Sequence, residues 1–185
     1  MVLVPDSSPE NVPTTEPLAV AALETERYVA VSGWDQNPRV FALVDTAELA
    51  KAEPQLADSF DGTADRAPGA LTAIEQEDLP RTSSLESLLG RMGWPETVHG
   101  VALAVERIVL PPGAERDLPD DQEAALTALS EHPQRQDVRL LVAVHRDGRS
   151  VCLLRQRAHD RDDRVATGDD IAPGLVHALR ATLED

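Results

Sequence analysis

Two apolar runs separated by a short charged turn constrain the fold of this chain more than any other stretch. The runs at 137–145 and 150–157 are rich in Val and Leu, and the residues between them are Arg-Asp-Gly-Arg. An Asp-Gly pair between two such runs favours a two-residue type I′ turn, because Asp and Gly tolerate the positive φ that this turn requires. The sequence therefore predicts a β-hairpin with Val144 opposite Val151 and Leu140 opposite Arg155.

This register places Arg155 and Arg157 on the apolar face of the hairpin, where an unpaired guanidinium is costly to bury. A β-bulge near Leu153 and Leu154, or a strand end that passes the edge of the core, removes both arginines from that face. Alternatively, Arg155 and Arg157 line a cleft with Arg139 and bind an anion. Residues 134–164 contain eight arginines and five acidic residues, within a chain of formal net charge −16. Both a carboxylate from the acidic remainder and a bound anion fit this local charge.

The composition limits the classes of protein that the chain can belong to. Its 185 residues suffice for one domain, which buries roughly 70% of the surface of the unfolded chain. The 33 acidic residues outnumber the 17 basic ones, so we expect no nucleic acid as a partner. Cys152 is the only cysteine, which excludes a disulfide framework. No run matches a signal peptide or the roughly 18 apolar residues of a membrane span, so we expect a cytoplasmic protein without membrane contact.

Apolar periodicity and helix breakers divide the chain into elements. Residues 1–16 carry three prolines among polar residues and predict a disordered tail, and residues 53–70 predict a flexible loop. The remainder, 17–185, predicts a single α+β domain in which helices pack on one face of an antiparallel sheet of about five strands and the other face is partly open. The predicted helices are 17–32, 47–52, a helix capped by Ser83 or Ser84 that ends at Met92, a helix from Asp120 or Asp121 to Ser130, and a last helix capped near Asp169 or Asp170; the predicted strands are 39–44, 71–74, 98–110 and the two hairpin arms.

The only two tryptophans occur in similar local sequences. Trp34 and Trp94 each follow a glycine and precede a predicted strand, at an offset of 60 residues. This is either a decayed helix-turn-strand repeat or the independent use of Gly to end a helix with a Trp packed beneath it.

The densest group of metal-ligating residue types is His159 with Asp160, Asp162 and Asp163. A calcium loop requires a Gly at its bend and a closing Glu at fixed spacing, and neither is present here. A solvated turn between a strand and a helix explains the group without a metal. The other histidines, at 99, 132, 145 and 177, show no metal-binding spacing.

Motifs of covalent and nucleotide chemistry are also missing from the sequence. No Ser lies in a G-x-S-x-G elbow, Cys152 has no adjacent base, and no P-loop or G-x-G-x-x-G is present. We therefore expect no cofactor and favour a protein without catalysis, although no residue pattern excludes an enzyme.

Several short motifs resemble a family of conserved actinobacterial proteins of unknown function, over about Leu18 to Leu183. The resemblance implies a small, standalone, cytoplasmic protein, and it brings no activity, cofactor or catalytic residue. The motifs are Gly33-Trp34-Asp35, Glu77-Asp78-Leu79-Pro80, Trp94-Pro95, Arg135-Gln136-Asp137-Val138-Arg139, Arg146-Asp147-Gly148, His159-Asp160 and Gly174-Leu175.

Two functions fit these expectations. The first is a non-catalytic protein-interaction or chaperone-like module, with a partner protein or a second copy bound at the exposed sheet face or the first helix, since the predicted order of elements is broadly similar to the secretion-chaperone arrangement. The second is a small-molecule or anion-binding protein, which could be an enzyme, with a pocket formed by Arg139, Arg155 and Arg157 near His159. The second requires that these arginines converge on a concavity without carboxylate partners.

Overall fold

The computed structural model describes residues 16–55, 68–77, 79, 82, 84–110, 113, 116, 118–168 and 171–184. The predicted tail at 1–16, apart from Glu16, and most of the predicted loop at 53–70 lie outside these residues. Within them, one antiparallel sheet of six strands and five helices form an α+β fold, as predicted. No helix in the described part of the chain is long and apolar enough to cross a membrane.

The elements follow the predicted order, with boundaries that agree to within a few residues. Strand β6 and the two 3₁₀ turns before it were not predicted, because segments this short show no periodicity. The helices are α1 (Pro17–Val31), α2 (Thr46–Ala52), α3 (Leu85–Gly90), α4 (Gln122–Glu131) and α5 (Pro173–Leu183); the strands are β1 (Arg39–Asp45), β2 (Leu71–Glu75), β3 (Val98–Val109), β4 (Gln136–His145), β5 (Ser150–Gln156) and β6 (Ala166–Thr167); the 3₁₀ turns are Arg157–His159 and Asp162–Arg164.

The strands lie in the order β2-β1-β3-β4-β5-β6, and every neighbouring pair is antiparallel. β3 and β4 occupy the centre, and residues 100–105 and 138–144 are buried without interruption. Gly100 allows β3 and β4 to approach at one point, because a Cβ there would lie 2.5 Å from the carbonyl oxygen of Val144.

The turn of the β4–β5 hairpin has three residues rather than the predicted two. The Gly148 N–H donates to the His145 carbonyl (3.0 Å), and the His145 N–H donates to the Arg149 carbonyl (2.9 Å). Gly148 has a φ of 98°, whereas Asp147, which a type I′ turn would also place at positive φ, does not. This is the geometry of a three-residue loop in which Gly alone takes the left-handed position.

The longer turn moves the whole of β5 by one residue relative to the prediction. Val151 lies opposite Ala143 instead of Val144, and Arg155 lies opposite Arg139 instead of Leu140. A shift of one residue exchanges the two faces of a strand, so Arg155 leaves the most apolar face. The pairing continues without a break through Leu153 and Leu154, so the predicted bulge at this point is wrong.

Helices cover both faces of the sheet, and the prediction of helices on one face is wrong. Residues on one side of β3 and β4 pack against α3 and α5, and we call this the α5 face. Those on the other side pack against α1, and we call this the α1 face. The uninterrupted burial along β3 and β4 is typical of strands that are covered on both sides.

Helix α1 has a clear start and a clear end. The Glu16 carboxylate accepts hydrogen bonds from the N–H groups of Leu18 and Ala19 (3.1 and 2.8 Å), and Pro17 occupies the first turn. Gly33, at a φ of 82°, ends the helix as predicted. Gly93 does not have a positive φ, so the two Gly-Trp pairs differ in backbone geometry.

Helix α4 differs from α1 and α5 because it has no buried residue. Its N-terminus is capped by Asp121, whose carboxylate accepts from the Ala124 N–H (3.0 Å). The side chain of Leu126 is among the large apolar side chains left exposed, at 57%. α4 is thus formed by local interactions and leaves apolar side chains without full cover.

Candidate functional site

Three charged side chains form a row across the sheet beneath α1. Glu106 on β3 lies opposite Arg139 on β4, which lies opposite Arg155 on β5. We call these three residues the charged row. Arg139 lies on the α1 face with either turn length, whereas Arg155 lies there only with the observed three-residue turn.

Arg155 is fully paired with carboxylates. It and Glu26 of α1 are each 2% exposed, and the Arg155 Nε and Nη2 atoms donate to the two Glu26 oxygens (2.6 and 3.0 Å). Its Nη1 and Nη2 atoms also donate to Asp160 (3.2 Å) and Asp162 (2.6 Å). One arginine therefore ties α1 to the segment that follows β5.

These contacts fix the charge of the groups involved. Burial disfavours the charged form of Arg155, but the hydrogen bonds to Glu26 and Asp162 outweigh burial and raise the pKa of the guanidinium above its ordinary value. The hydrogen bond from Arg155 lowers the pKa of the Asp162 carboxyl. Arg155 and Asp162 hence both carry their charges at neutral pH.

Arg139 is also buried, at 2% exposure, but it is less completely paired. Its guanidinium stacks over the Trp34 ring, with its Cζ atom 4.4 Å from the ring centroid. Its Nη2 atom donates to the Gly33 carbonyl and lies 3.5 Å from the Glu106 carboxylate. Among the described residues, its Nε and Nη1 atoms have no hydrogen-bond partner.

Arg157 lies nearer the surface and makes a bidentate ion pair. Its Nη1 and Nη2 atoms donate to the two Asp35 carboxylate oxygens (2.9 and 3.1 Å), and Asp137 lies 3.7 Å away. The hydrogen bond from Arg157 lowers the pKa of the Asp35 carboxyl. Arg157 also lies over Trp34, with its Cζ atom 5.7 Å from the ring centroid.

The loop from Gly33 to Gln36, which we call the Trp34 loop, is held from several sides. The Glu106 carboxylate accepts from the N–H groups of Asp35 and Gln36 (2.8 and 2.9 Å), and the Trp34 indole N–H donates to Asp160 (3.1 Å). Asp35 has a φ of 64°, a strained conformation for a residue other than Gly. The surrounding contacts hold this strain and fix the loop over Arg139.

Two adjoining grooves open at this end of the α1 face. The larger, which we call the α4 groove, has a volume of about 470 Å³ and is lined by Asp35, Glu106, Arg107, Ile108, Leu126, Leu129, Ser130, Arg135, Asp137 and Arg157. The second, which we call the His159 groove, has a volume of about 340 Å³ and is lined by Arg135, Gln136, Asp137, Gln156, Arg157, Ala158 and His159. The two grooves share Arg135, Asp137 and Arg157.

The structure brings the four predicted site residues to one end of the molecule, at different depths. Arg157 lines both grooves and His159 lines the second. Arg139 and Arg155 lie beneath the Trp34 loop and α1 and line neither groove. A concavity is therefore present, but two of the predicted residues do not reach it.

The predicted anion pocket required arginines without carboxylate partners, and all three arginines have such partners. Arg139, Arg155 and Arg157 have six carboxylate partners between them, so this cluster has more negative than positive charges. An added anion at these arginines would displace a carboxylate or enter a net negative site. The carboxylates are Glu26, Asp35, Glu106, Asp137, Asp160 and Asp162.

All three aspartates near His159 form ion pairs, and two of them belong to the network around Arg155. Asp160 and Asp162 bind Arg155, and Asp163 binds Arg161 (2.5 Å). No group of three or more metal-ligating side chains occurs among the residues that the structure describes. Here, the carboxylates hold arginines and shape the turn after β5.

Sequence reasoning allowed for carboxylate partners of the arginines without identifying them, and it missed the α4 groove. Glu26 carried a usable signal, because it lies on the buried stripe of α1 between Ala22 and Val29. A charged residue on such a stripe indicates a buried partner. Glu106 gave no local signal, because its partners come from other parts of the chain.

Comparison with known proteins places the chain in a family without supplying an activity. Neither the curated proteins nor the solved structures contain a match to it. The family model described as PPA1309-like protein, an uncharacterised protein family, matches residues 18–184, which is most of the chain and close to the predicted extent. The chain belongs to the PPA1309-like protein family.

Proposed function

We propose that this protein is a non-catalytic interaction module that binds a partner protein in the α4 groove. The observation that carries the proposal is the exposure of α4, which has no buried residue and directs Leu126 and Leu129 at the groove together with Ile108 of β3. A partner that covers these side chains gains the free energy of burying apolar surface, at about 25 cal/mol per Å².

Glu106, Arg157 and the Trp34 loop support this function by giving the groove a rigid wall. Asp35, Glu106 and Arg157 line the groove, and each is held by at least one hydrogen bond or ion pair. A wall that is already ordered loses little entropy when a partner binds. We expect α4 to be the mobile side of the groove and the sheet to be the fixed side.

A small-molecule or anion-binding function is the second candidate, and one observation favours it. The combined concavity falls in the size range of ligand pockets, and Arg107 and Arg135 line it without a carboxylate partner among the described residues. An anion pocket would then be centred on Arg135 instead of Arg155. The cytoplasmic location and the actinobacterial source stay predictions under both functions.

The test compares three purified proteins as bait in an extract of the source cell. Leu126→Glu places a charge in the groove, and Val31→Glu places the same charge at another exposed apolar residue, 88% exposed at the end of α1. We expect one protein to bind the wild type and the Val31 variant and to be lost with the Leu126 variant, and a direct titration with that purified protein to show the same order. Equal binding by all three would contradict the proposal.

A thermal-shift screen with metals, nucleotides, phosphorylated metabolites and acyl-CoA compounds separates the two functions. A ligand that binds the folded state alone raises the midpoint of unfolding, with about 2.7 kcal/mol of stabilisation at a hundredfold excess over its dissociation constant. A shift that Arg135→Ala abolishes would favour the small-molecule function, and no shift would leave the interaction module ahead.

A further inference from the structure

The charged side chains that line the α4 groove differ in how far they are already paired within the protein. Three arginines and three carboxylates line it, but the carboxylates are already engaged by the protein. Asp35 accepts from Arg157, and Asp137 lies 3.7 Å from the same guanidinium. Glu106 accepts two backbone N–H groups and pairs with Arg139. Each carboxylate of the groove therefore already lies beside a guanidinium of the protein.

The two remaining arginines have hydrogen-bond donors to spare. Within the described residues, the Arg107 side chain donates only to the Glu106 carbonyl (3.4 Å), and the Arg135 side chain donates only to the Ser130 carbonyl. A guanidinium has five N–H donors, so most of the donors on both side chains are free to bind an acceptor. Arg135 lines both grooves and thus lies at the centre of the concavity.

The apolar side chains of the groove lie close to these free donors. Ile108, Leu126 and Leu129 line the same groove as Arg107 and Arg135. An occupant that complements this surface combines an apolar group with a carboxylate, because guanidinium and carboxylate form charge-assisted, frequently bidentate hydrogen bonds.

We infer that the α4 groove binds a segment of a partner protein in which apolar residues are separated by Asp or Glu, and that Arg135 anchors a carboxylate of that segment. The inference rests on the proposed interaction function and names its partner by chemical class. The high negative charge of the chain opposes an acidic partner at long range, but salt screens charges beyond about 8 Å at physiological ionic strength. The contact at Arg135 is short-range, so added salt weakens the long-range repulsion more than it weakens this contact.

The experiment uses three labelled peptides and the full chain. The repeats are Leu-Glu-Glu, Leu-Lys-Lys and Ser-Glu-Glu, each acetylated and amidated, so that they differ only in charge or in apolar content. Binding is measured by fluorescence anisotropy at two ionic strengths. We expect the Leu-Glu-Glu peptide to bind most tightly, and Arg135→Ala to weaken it about tenfold, the loss expected for one charge-assisted hydrogen bond. Arg91→Ala, which changes an exposed arginine outside both grooves, is expected to leave binding unchanged.

The outcomes separate this inference from the proposed function. Equal binding of the three peptides, no binding of any of them, or equal effects of the Arg135 and Arg91 variants would overturn the inference. If Leu126→Glu abolishes capture of the partner protein while Arg135→Ala leaves it unchanged, the function stands and the acidic-segment inference fails. A dimeric mass in solution that Leu126→Glu reduces to that of one chain would make a second copy the occupant and overturn the inference. Competition by inorganic phosphate as strong as by the peptide would favour the small-molecule function instead.

Discussion

On each face of the sheet, a tryptophan and an arginine donate hydrogen bonds that hold neighbouring segments together. The hydrogen-bond acceptors on the two faces are of different kinds. On the α5 face, the Trp94 indole N–H donates to Thr182 Oγ1 (3.0 Å). Arg146 donates to the backbone carbonyls of Val98 and Leu183 (2.6 Å each) and also to those of Trp94 and Pro95 (3.2 and 3.1 Å). Each of these acceptors is neutral.

On the α1 face, the acceptors are carboxylates. The Trp34 indole donates to Asp160, and Arg155 donates to Glu26, Asp160 and Asp162. These contacts depend on ionised acidic groups, and one of the ion pairs is buried. The α4 groove opens at one end of the α1 face.

This difference assigns separate roles to the two faces. Neutral carbonyls keep their hydrogen bonds at every pH at which the chain is folded, so the closure of the α5 face does not depend on acid groups. Carboxylates lose their charge in acid, so the α1 face can loosen by itself. The buried ion pair adds little net stability over an apolar core. The Glu106 and Asp160 carboxylates fix the position of the Trp34 loop at the groove.

The largest effect is expected from removal of the buried carboxylate on the α1 face. Glu26→Ala leaves Arg155 buried with only its two partly exposed aspartates, and we expect a loss of about 3 kcal/mol in the free energy of unfolding. Urea unfolding measures this loss. The double variant Glu26→Leu with Arg155→Leu removes both charges and should recover most of the stability. A loss below about 1 kcal/mol would mean that the ion pair does not hold α1 to the sheet.

A smaller effect is expected from the arginine of the α5 face. Arg146→Ala leaves four carbonyls that water can reach in part, so we expect a loss of about 1–2 kcal/mol. Arg146→Lys should not restore stability, because one ammonium cannot reach the acceptors that the planar guanidinium spans. Urea unfolding at low and high ionic strength checks the result, and full recovery with Lys would contradict it.

The sequence predicted the fold well where the signal was local. Gly33 at the end of α1, Asp121 at the start of α4 and the apolar runs of β3 and β4 each identify an element from a few neighbouring residues. The hairpin was found for the same reason. Its register was not, because Asp147-Gly148 fits both a two-residue turn and a three-residue turn, and the two differ by one residue.

The one-residue difference in turn length decided how the site was interpreted. With the shorter turn, Arg155 lies on the apolar face beside Leu140 and requires an unusual explanation. With the observed turn, it lies opposite Arg139 and meets Glu26, which is 129 residues away in the chain. Periodicity cannot identify a partner at this separation, so the sequence allowed for carboxylate partners of the arginines without identifying them.

Acid should loosen the α1 face before the α5 face. The arginine partners lower the pKa values of Asp35 and Asp162 in the folded chain, and that of Glu75 beside Arg39. A carboxyl group with a lowered folded pKa stabilises the fold above its unfolded pKa, about 3.9 for Asp, and loses this contribution as the pH falls through the folded value. We therefore expect the α1 face to loosen below about pH 4.

The two tryptophans report on the two faces separately. Trp94→Phe leaves Trp34 as the fluorophore of the α1 face, and Trp34→Phe leaves Trp94 for the α5 face. The fluorescence of Trp34 should change at a higher pH than that of Trp94. Coincident transitions in the two variants would show that the faces unfold together.

The smallest change in the free energy of unfolding is expected from a substitution in α4, and its size tests whether the groove is open. Because α4 has no buried residue, Leu126→Ala should change the free energy of unfolding by no more than about 0.5 kcal/mol. Amide hydrogen exchange should be faster along α4 than along α5, whose Leu179 is fully buried. A cost of about 2 kcal/mol or more for Leu126→Ala would show that α4 is packed in solution, which would close the groove and remove the basis for a binding site there.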